Sequence, residues 1–220
     1  MLARTSVCRL PPGAKTLPAA TRRGLIDHLR QYPFVSLATA AERRRAWGIL
    51  KELRAATRAW QKPSAARAAG YLVRGARRSP GDTSVHYLHA ERRVHHDDHR
   101  YLDPRRPEVL IYANARDTPL VLVGVMFAMP RGRHGPTPAG PIARWHRHLV
   151  CVSGTRRGVQ AGADGCAAGA RELMGSEMLH MWLTTDLRSA YAVDAPEPEL
   201  CRAGLLPRTA CRAPRRFGGM

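Results

Sequence analysis

Two apolar runs in the middle of the chain constrain the fold most strongly, because together they predict a β-hairpin. The first run is Val109–Ala113 (VLIYA) and the second covers residues 120–127 (LVLVGVMF). Both are rich in the β-branched and aromatic residues that favour strands. The six residues that join them, 114–119, are turn-forming, so we expect the two strands to pair antiparallel in one sheet.

A helical segment is predicted before this β region. Residues 21–31 form a short candidate helix that ends before Pro33. Thr39 and Glu42 have the spacing of a capping box, which marks the start of a second helix. Its apolar positions recur at helical spacing, with arginines largely on the other face: Trp47, Leu50, Leu53, Thr57 and Trp60. Pro63 ends it, and residues 64–69 form a third short helix that stops at Gly70.

The remaining strand-like runs lie at residues 84–88, 145–152 and 178–184. We therefore predict an α+β protein, in which an N-terminal helical segment packs on an antiparallel β-sandwich or small β-barrel. The expected organisation is a flexible arm (residues 1–20), a helical segment (21–70), a β domain (71–195) and a basic tail (196–220). The tail is rich in proline and arginine, and we expect it to be poorly ordered.

The charge balance permits two interpretations. The 220 residues carry a formal net charge of +19, which is compatible with binding to nucleic acid. Only three of the basic residues are lysines, and arginine, alanine, glycine and proline share GC-rich codons, so coding bias is the interpretation we favour. The alternative is an arginine-rich nucleic-acid-binding module that uses the basic helix over residues 42–58 and contains structural histidines.

Compartment and cysteine usage give weaker expectations. The longest apolar run has ten residues, about half of what a membrane-spanning helix needs. Residues 1–10 lack the apolar core of a secretory signal, so the sequence as written predicts a cytoplasmic protein, or an envelope or secreted one if the start is incomplete.

The five cysteines contain no CxxC pair and do not define a disulfide framework. A bridge between Cys151 and Cys166 would fit an oxidising compartment.

Histidines inside strand-like runs are the main candidates for function. His146 and His148 are two residues apart, so in a strand they project from one face about 7 Å from each other. His86 and His180 are also flanked by apolar residues that point to the opposite face. We predict a mononuclear metal site with four ligands, against the alternative of separate core histidines bonded to backbone carbonyls: His86, His146, His148 and His180. Strand parity opposes Cys151 as a further ligand unless a bulge intervenes. The histidines and aspartates of residues 95–99 fit a solvated loop better.

Neutral imidazole ligands favour zinc or copper, and iron is less favoured because no carboxylate lies within these strand runs. An open coordination position would give a metal-dependent hydrolase or oxygenase. A closed one would give a structural, storage or redox site. The sequence contains no G-x-S-x-G elbow, P-loop or G-x-G-x-x-G motif, so enzyme activity is left open.

Over about residues 40–200 the chain resembles a group of uncharacterised bacterial proteins, many of which look secreted or envelope-associated. The matching motifs, in order, are AARAAGY (65–71), VHY (85–87), LDPRRPEVLIY (102–112), LVGVMF (122–127), WHRH (145–148) and MLHMW (178–182). The resemblance implies a shared β fold and supports the four histidines as one site, but it implies no particular activity. The chain departs from the group at His89, where the group has asparagine. A likeness to cupins is remote, because Cys151 and Val152 stand three and four residues after the His-x-His pair, where a cupin has a glutamate.

Overall fold

The computed structural model describes residues 32–73, 84–91, 100–113, 119–130, 132–147, 149–152, 159–160, 169–206 and 211. The predicted arm, the helix expected over residues 21–31 and the polar loop over residues 95–99 lie outside the described residues. His148 and Cys166 also lie outside them.

The main sheet has five strands in the order β1-β2-β3-β4-β8, and every neighbouring pair is antiparallel. These strands are β1 (Tyr71–Val73), β2 (Ser84–His89), β3 (Val109–Ala113), β4 (Val121–Ala128) and β8 (Met178–Trp182). A second sheet has the order β6-β5-β7 and contains β5 (Leu149–Val152), β6 (Val159–Gln160) and β7 (Arg171–Met174). The predicted pairing of β3 with β4 and the α+β class are confirmed, and the main sheet is open rather than closed into a barrel.

The helices are α1 (Ala40–Ala56), α2 (Pro63–Ala68), α3 (Leu187–Ala190) and α4 (Glu197–Arg202), with a 3-10 turn at Thr57–Trp60 after α1. The predicted capping box opens α1: the Thr39 hydroxyl accepts from the Glu42 backbone N–H, and the Glu42 carboxylate accepts from the Thr39 N–H. These bonds satisfy amides that the first helical turn would otherwise leave without partners. None of the described helices is long and apolar enough to span a bilayer.

The two faces of the main sheet pack against different parts of the chain. One face, which we call the helix face, packs against Leu50 and Leu53 of α1. Its sheet residues include Tyr87, Leu110, Tyr112, Val125, Phe127, Leu179 and Met181. The other face, which we call the histidine face, carries Ile111 and Trp182 and packs against Ala192, Leu200 and Leu206. Because side chains alternate along a strand, His86 and His180 lie on the histidine face, as their apolar neighbours predicted.

The predicted single strand over residues 145–152 is wrong. His146 makes an isolated antiparallel bridge to Met178, next to the edge of the main sheet. The chain then enters β5, which pairs with β6 and β7 in the second sheet. The sequence predicts one strand because apolar residues stand at 145 and throughout 149–152, with two histidines at alternate positions between them. Its first part pairs with β8 of the main sheet through His146, whereas β5 pairs with β6 and β7 of the second sheet.

The predicted disorder of the tail is wrong for residues 197–206. Helix α4 buries Leu200 completely against the histidine face, and Leu206 is also buried there. A disulfide joins Cys201 of α4 to Cys211, and Cys151 is also disulfide-bonded. The cysteine spacing alone did not define these bonds, and the sequence analysis left the disulfide state open. Cys166, the sequence-predicted partner of Cys151, lies outside the described residues.

Candidate metal centre

His146 and His180 come together at the edge of the main sheet. Met178 and His180 are two residues apart on β8 and therefore share a face, and His146 stands directly opposite Met178 in the bridge. His146 is thus a diagonal neighbour of His180 on the histidine face, at a spacing that long side chains can close. The centroids of the two imidazole rings are 4.9 Å apart. The side chains are 0% and 6% exposed, so both rings are buried.

Backbone carbonyls fix the orientation of both rings. Nδ1 of His146 lies 3.0 Å from the carbonyl oxygen of Arg144, and Nδ1 of His180 lies 2.6 Å from the carbonyl oxygen of Val193. A carbonyl oxygen can only accept, so Nδ1 carries the proton in each ring, and the lone pair of the neutral imidazole is on Nε2. Metal-binding histidines are held in this way, with one ring nitrogen donating to the protein and the other facing the ion.

His86 lies on the same face as this pair but three strands away. Its register partner on β3 is Ile111, which pairs with Gly124 on β4 and, through it, with Trp182 on β8. Three strand spacings separate the β2 and β8 backbones by about 14 Å. Burial lowers the pKa of His86 to about 3, and the positive charge that His180 takes up on protonation adds to this effect. His86 is therefore a neutral imidazole at physiological pH, as a metal ligand must be.

The structure brings together two of the four predicted ligands. Among the described residues, no three histidine, cysteine, aspartate or glutamate side chains stand close enough to hold a metal ion. The strand spacing that keeps His86 away from the pair accounts for this result. His148, the fourth predicted ligand, lies outside the described residues, so the predicted convergence of all four is not tested.

Trp182 lies beside the histidine pair. Its ring centroid is 5.6 Å from that of His180, and its Nε1–H donates to the carbonyl oxygen of Ala192 at 2.8 Å. Glycine is required opposite it on β4: a Cβ added to Gly124 would stand 2.8 Å from Cε3 of Trp182 and 2.9 Å from the Met181 carbonyl oxygen. The missing side chain therefore makes room for the indole that packs against His180.

A carboxylate that the sequence analysis missed also lies near the pair. Asp194 directly follows Val193, whose carbonyl holds His180. Crowding by protein atoms raises the pKa of the Asp194 carboxyl, and His180 lowers it in part, although the residue still reaches solvent. No local pattern marks this residue. It reaches the site because residues 191–195 cross the histidine face on the way to α4.

Two other described histidines lie outside this site. His89 is on β2 at odd spacing from His86, so it points to the opposite face, where its ring contacts Tyr71 edge-on at 5.0 Å. His134 is exposed and lies 3.3 Å from the Glu177 carboxylate through Nδ1. Neither side chain contributes to the pair.

Comparison with protein-family models, with curated proteins and with solved structures returned no match. The function has to be inferred from the residues of this chain.

Proposed function

We propose that the protein binds one metal ion, zinc or copper, with His146 and His180 as the central ligands and His86 and His148 completing the predicted set. One observation carries the proposal: two buried imidazoles lie 4.9 Å apart, each anchored through Nδ1 to a backbone carbonyl. Because Nδ1 is engaged in each ring, Nε2 is the nitrogen that would bind the ion. A third ligand comes from His86 or from His148.

The chemistry of the donors favours zinc or copper over iron. Imidazole nitrogen suits both metals, whereas the usual non-haem iron site combines two histidines with a carboxylate. The carboxyl of Asp194 also lies near the pair, and crowding by protein atoms raises its pKa, which makes it a weaker candidate ligand than the imidazoles. The His86 imidazole is already neutral at pH 7 because its pKa is about 3, so metal binding releases no proton from it.

The number of histidine ligands decides whether the site is catalytic. Three imidazoles around zinc leave one tetrahedral position for water, whose pKa the metal lowers to about 7, so that it becomes a nucleophile near neutral pH. Four imidazoles close the site and make it structural or a metal-handling site. If only one of His86 and His148 joins the pair, the ion has three imidazole ligands; if both join, it has four.

The disulfides point to an oxidising compartment, in contrast to the cytoplasmic expectation from the sequence. Cys201 is bonded to Cys211, and Cys151 is in a second disulfide. Bonds of this kind persist in secreted and envelope proteins and are rare in the reducing cytosol. We therefore propose that the protein works outside the cytoplasm.

Titration of metal-free protein that carries no histidine tag tests the proposal. We expect one zinc or copper ion per chain in calorimetry. At a free metal concentration ten times the Kd, binding should stabilise the fold by about 1.4 kcal/mol and raise the Tm by about 3–6 °C. Heat and Tm that stay unchanged with both metals would refute the proposal.

A further inference from the structure

We propose that the exposed side of α1 docks the protein onto an anionic lipid membrane. This surface, which we call the cationic face, consists of four basic residues and one tryptophan. Its members are Arg44, Trp47, Lys51, Arg54 and, in the 3-10 turn that follows, Arg58.

The cationic face is a continuous stripe. Its residues follow one another at intervals of three or four, and all five are exposed. On a helix of 3.6 residues per turn, the four that belong to α1 fall within about 80° of one another. The stripe from residue 44 to residue 58 is about 21 Å long. A rigid row of this kind presents its charges to a flat partner at the same time.

The charges of this stripe are available to a partner. Within the described part of the chain, no ion pair joins Arg44, Lys51 or Arg54 to an acidic side chain. Glu52, which lies on the same helix, has its carboxylate 3.7 Å from Arg105. The chain as a whole carries a formal net charge of +19, so nearby charges reinforce the attraction to an anionic surface.

Exposed apolar side chains favour lipid over nucleic acid as the partner. Trp47 is 45% exposed in the middle of the stripe, and Leu37, just before α1, is 70% exposed. Tryptophan is enriched at membrane interfaces, where its ring lies among the headgroups. The disulfides also favour a compartment in which membrane lipid, not nucleic acid, is the abundant polyanion.

The binding is peripheral. The apolar side of α1, with Ala46, Leu50 and Leu53, is fully buried against the rest of the protein. The helix therefore has no apolar face left to sink between acyl chains, as an interfacial amphipathic helix does. Attraction between the cations and lipid phosphates supplies most of the affinity, with Trp47 as an interfacial anchor. Binding should weaken steeply as salt is added.

Vesicle co-sedimentation with the full chain tests this proposal. We expect binding to vesicles of 30% phosphatidylglycerol in phosphatidylcholine, and little to phosphatidylcholine alone. The double variant Lys51→Gln/Arg54→Gln should bind the anionic vesicles at least about tenfold more weakly, since each basic residue near such a surface contributes on the order of a fivefold change in affinity. The matched control Arg67→Gln/Arg171→Gln removes the same charge from exposed positions on α2 and β7 and should bind within about twofold of wild type.

Three results would overturn the proposal. The first is equal binding to neutral and anionic vesicles. The second is equal weakening in the two double variants, which would assign the attraction to overall charge instead of the cationic face. The third is tighter binding to a single- or double-stranded oligonucleotide than to vesicles, which would assign the face to nucleic acid. Thermal melting checks that each variant is folded. We expect both double variants to keep the wild-type Tm, because all four substituted side chains are exposed.

Discussion

Replacing either His146 or His180 with alanine should weaken zinc or copper binding by about 100-fold or more. Loss of a residue that only orients a metal ligand typically costs 10- to 100-fold in affinity, so loss of the ligand itself should cost at least the upper value. The two effects should be similar in size, because both rings are buried, both are anchored to a carbonyl, and they lie 4.9 Å apart. Calorimetric titration of the metal-free variants measures this.

His134→Ala is the matched control for this pair. It removes an imidazole that is exposed and lies beside Glu177, away from the histidine face, and should leave the affinity unchanged. Alanine at 86 and at 148 then shows whether the third ligand comes from β2 or from the segment before β5. Equal affinity in wild type, His146→Ala and His180→Ala would mean that the two rings are only core residues.

Acid should destabilise the metal-free protein because His86 cannot accept a proton while it is folded. The pKa of His86 is about 3 in the fold, against 6.5 for an ordinary histidine. Above pH 6.5 the side chain is neutral in both states, so it has no effect on the pH dependence. As the pH falls below 6.5 the unfolded chain takes up a proton and the folded one does not. The stability therefore declines down to about pH 3, and the loss at pH 5 is about 2 kcal/mol.

The His86→Gln variant lacks the titrating group. Between pH 7 and pH 5, the free energy of unfolding of this variant should therefore fall by about 2 kcal/mol less than that of wild type. Denaturant unfolding at a series of pH values measures both curves. Ser64→Ala, an exposed change that adds and removes no titrating group, should keep the full wild-type decline. If the wild-type and His86→Gln curves remain parallel over this range, His86 takes up its proton in the folded state and its pKa is not lowered there.

Local sequence patterns predicted the parts of the fold that depend on neighbouring residues. The capping box of Thr39 and Glu42 begins α1 as expected, because its two hydrogen bonds form within one helical turn. Apolar alternation predicted that His86 and His180 share one face of the sheet. The pairing of β3 with β4 followed from the length of the segment between them.

The unpredicted features depend on contacts between distant residues. The order of strands puts two strands between His86 and β8, and no local pattern encodes that order. The carbonyl of Val193 that holds His180 is invisible in a sequence, because every residue has a carbonyl. The folding of residues 197–206 did have a signal: Pro198 and two glutamates at a helix start, followed by Leu200. The abundance of proline and arginine in the tail masked it.

X-ray absorption of the zinc- or copper-loaded protein reports the atoms around the ion whether or not the site is catalytic. We expect a first shell of nitrogen or oxygen at about 2.0–2.1 Å for zinc. We also expect outer-shell scattering from at least three imidazole rings, reduced by one ring in a His148→Ala or His86→Ala protein that still binds metal. A first shell with sulfur, or with oxygen and no imidazole scattering, would rule out the histidine site.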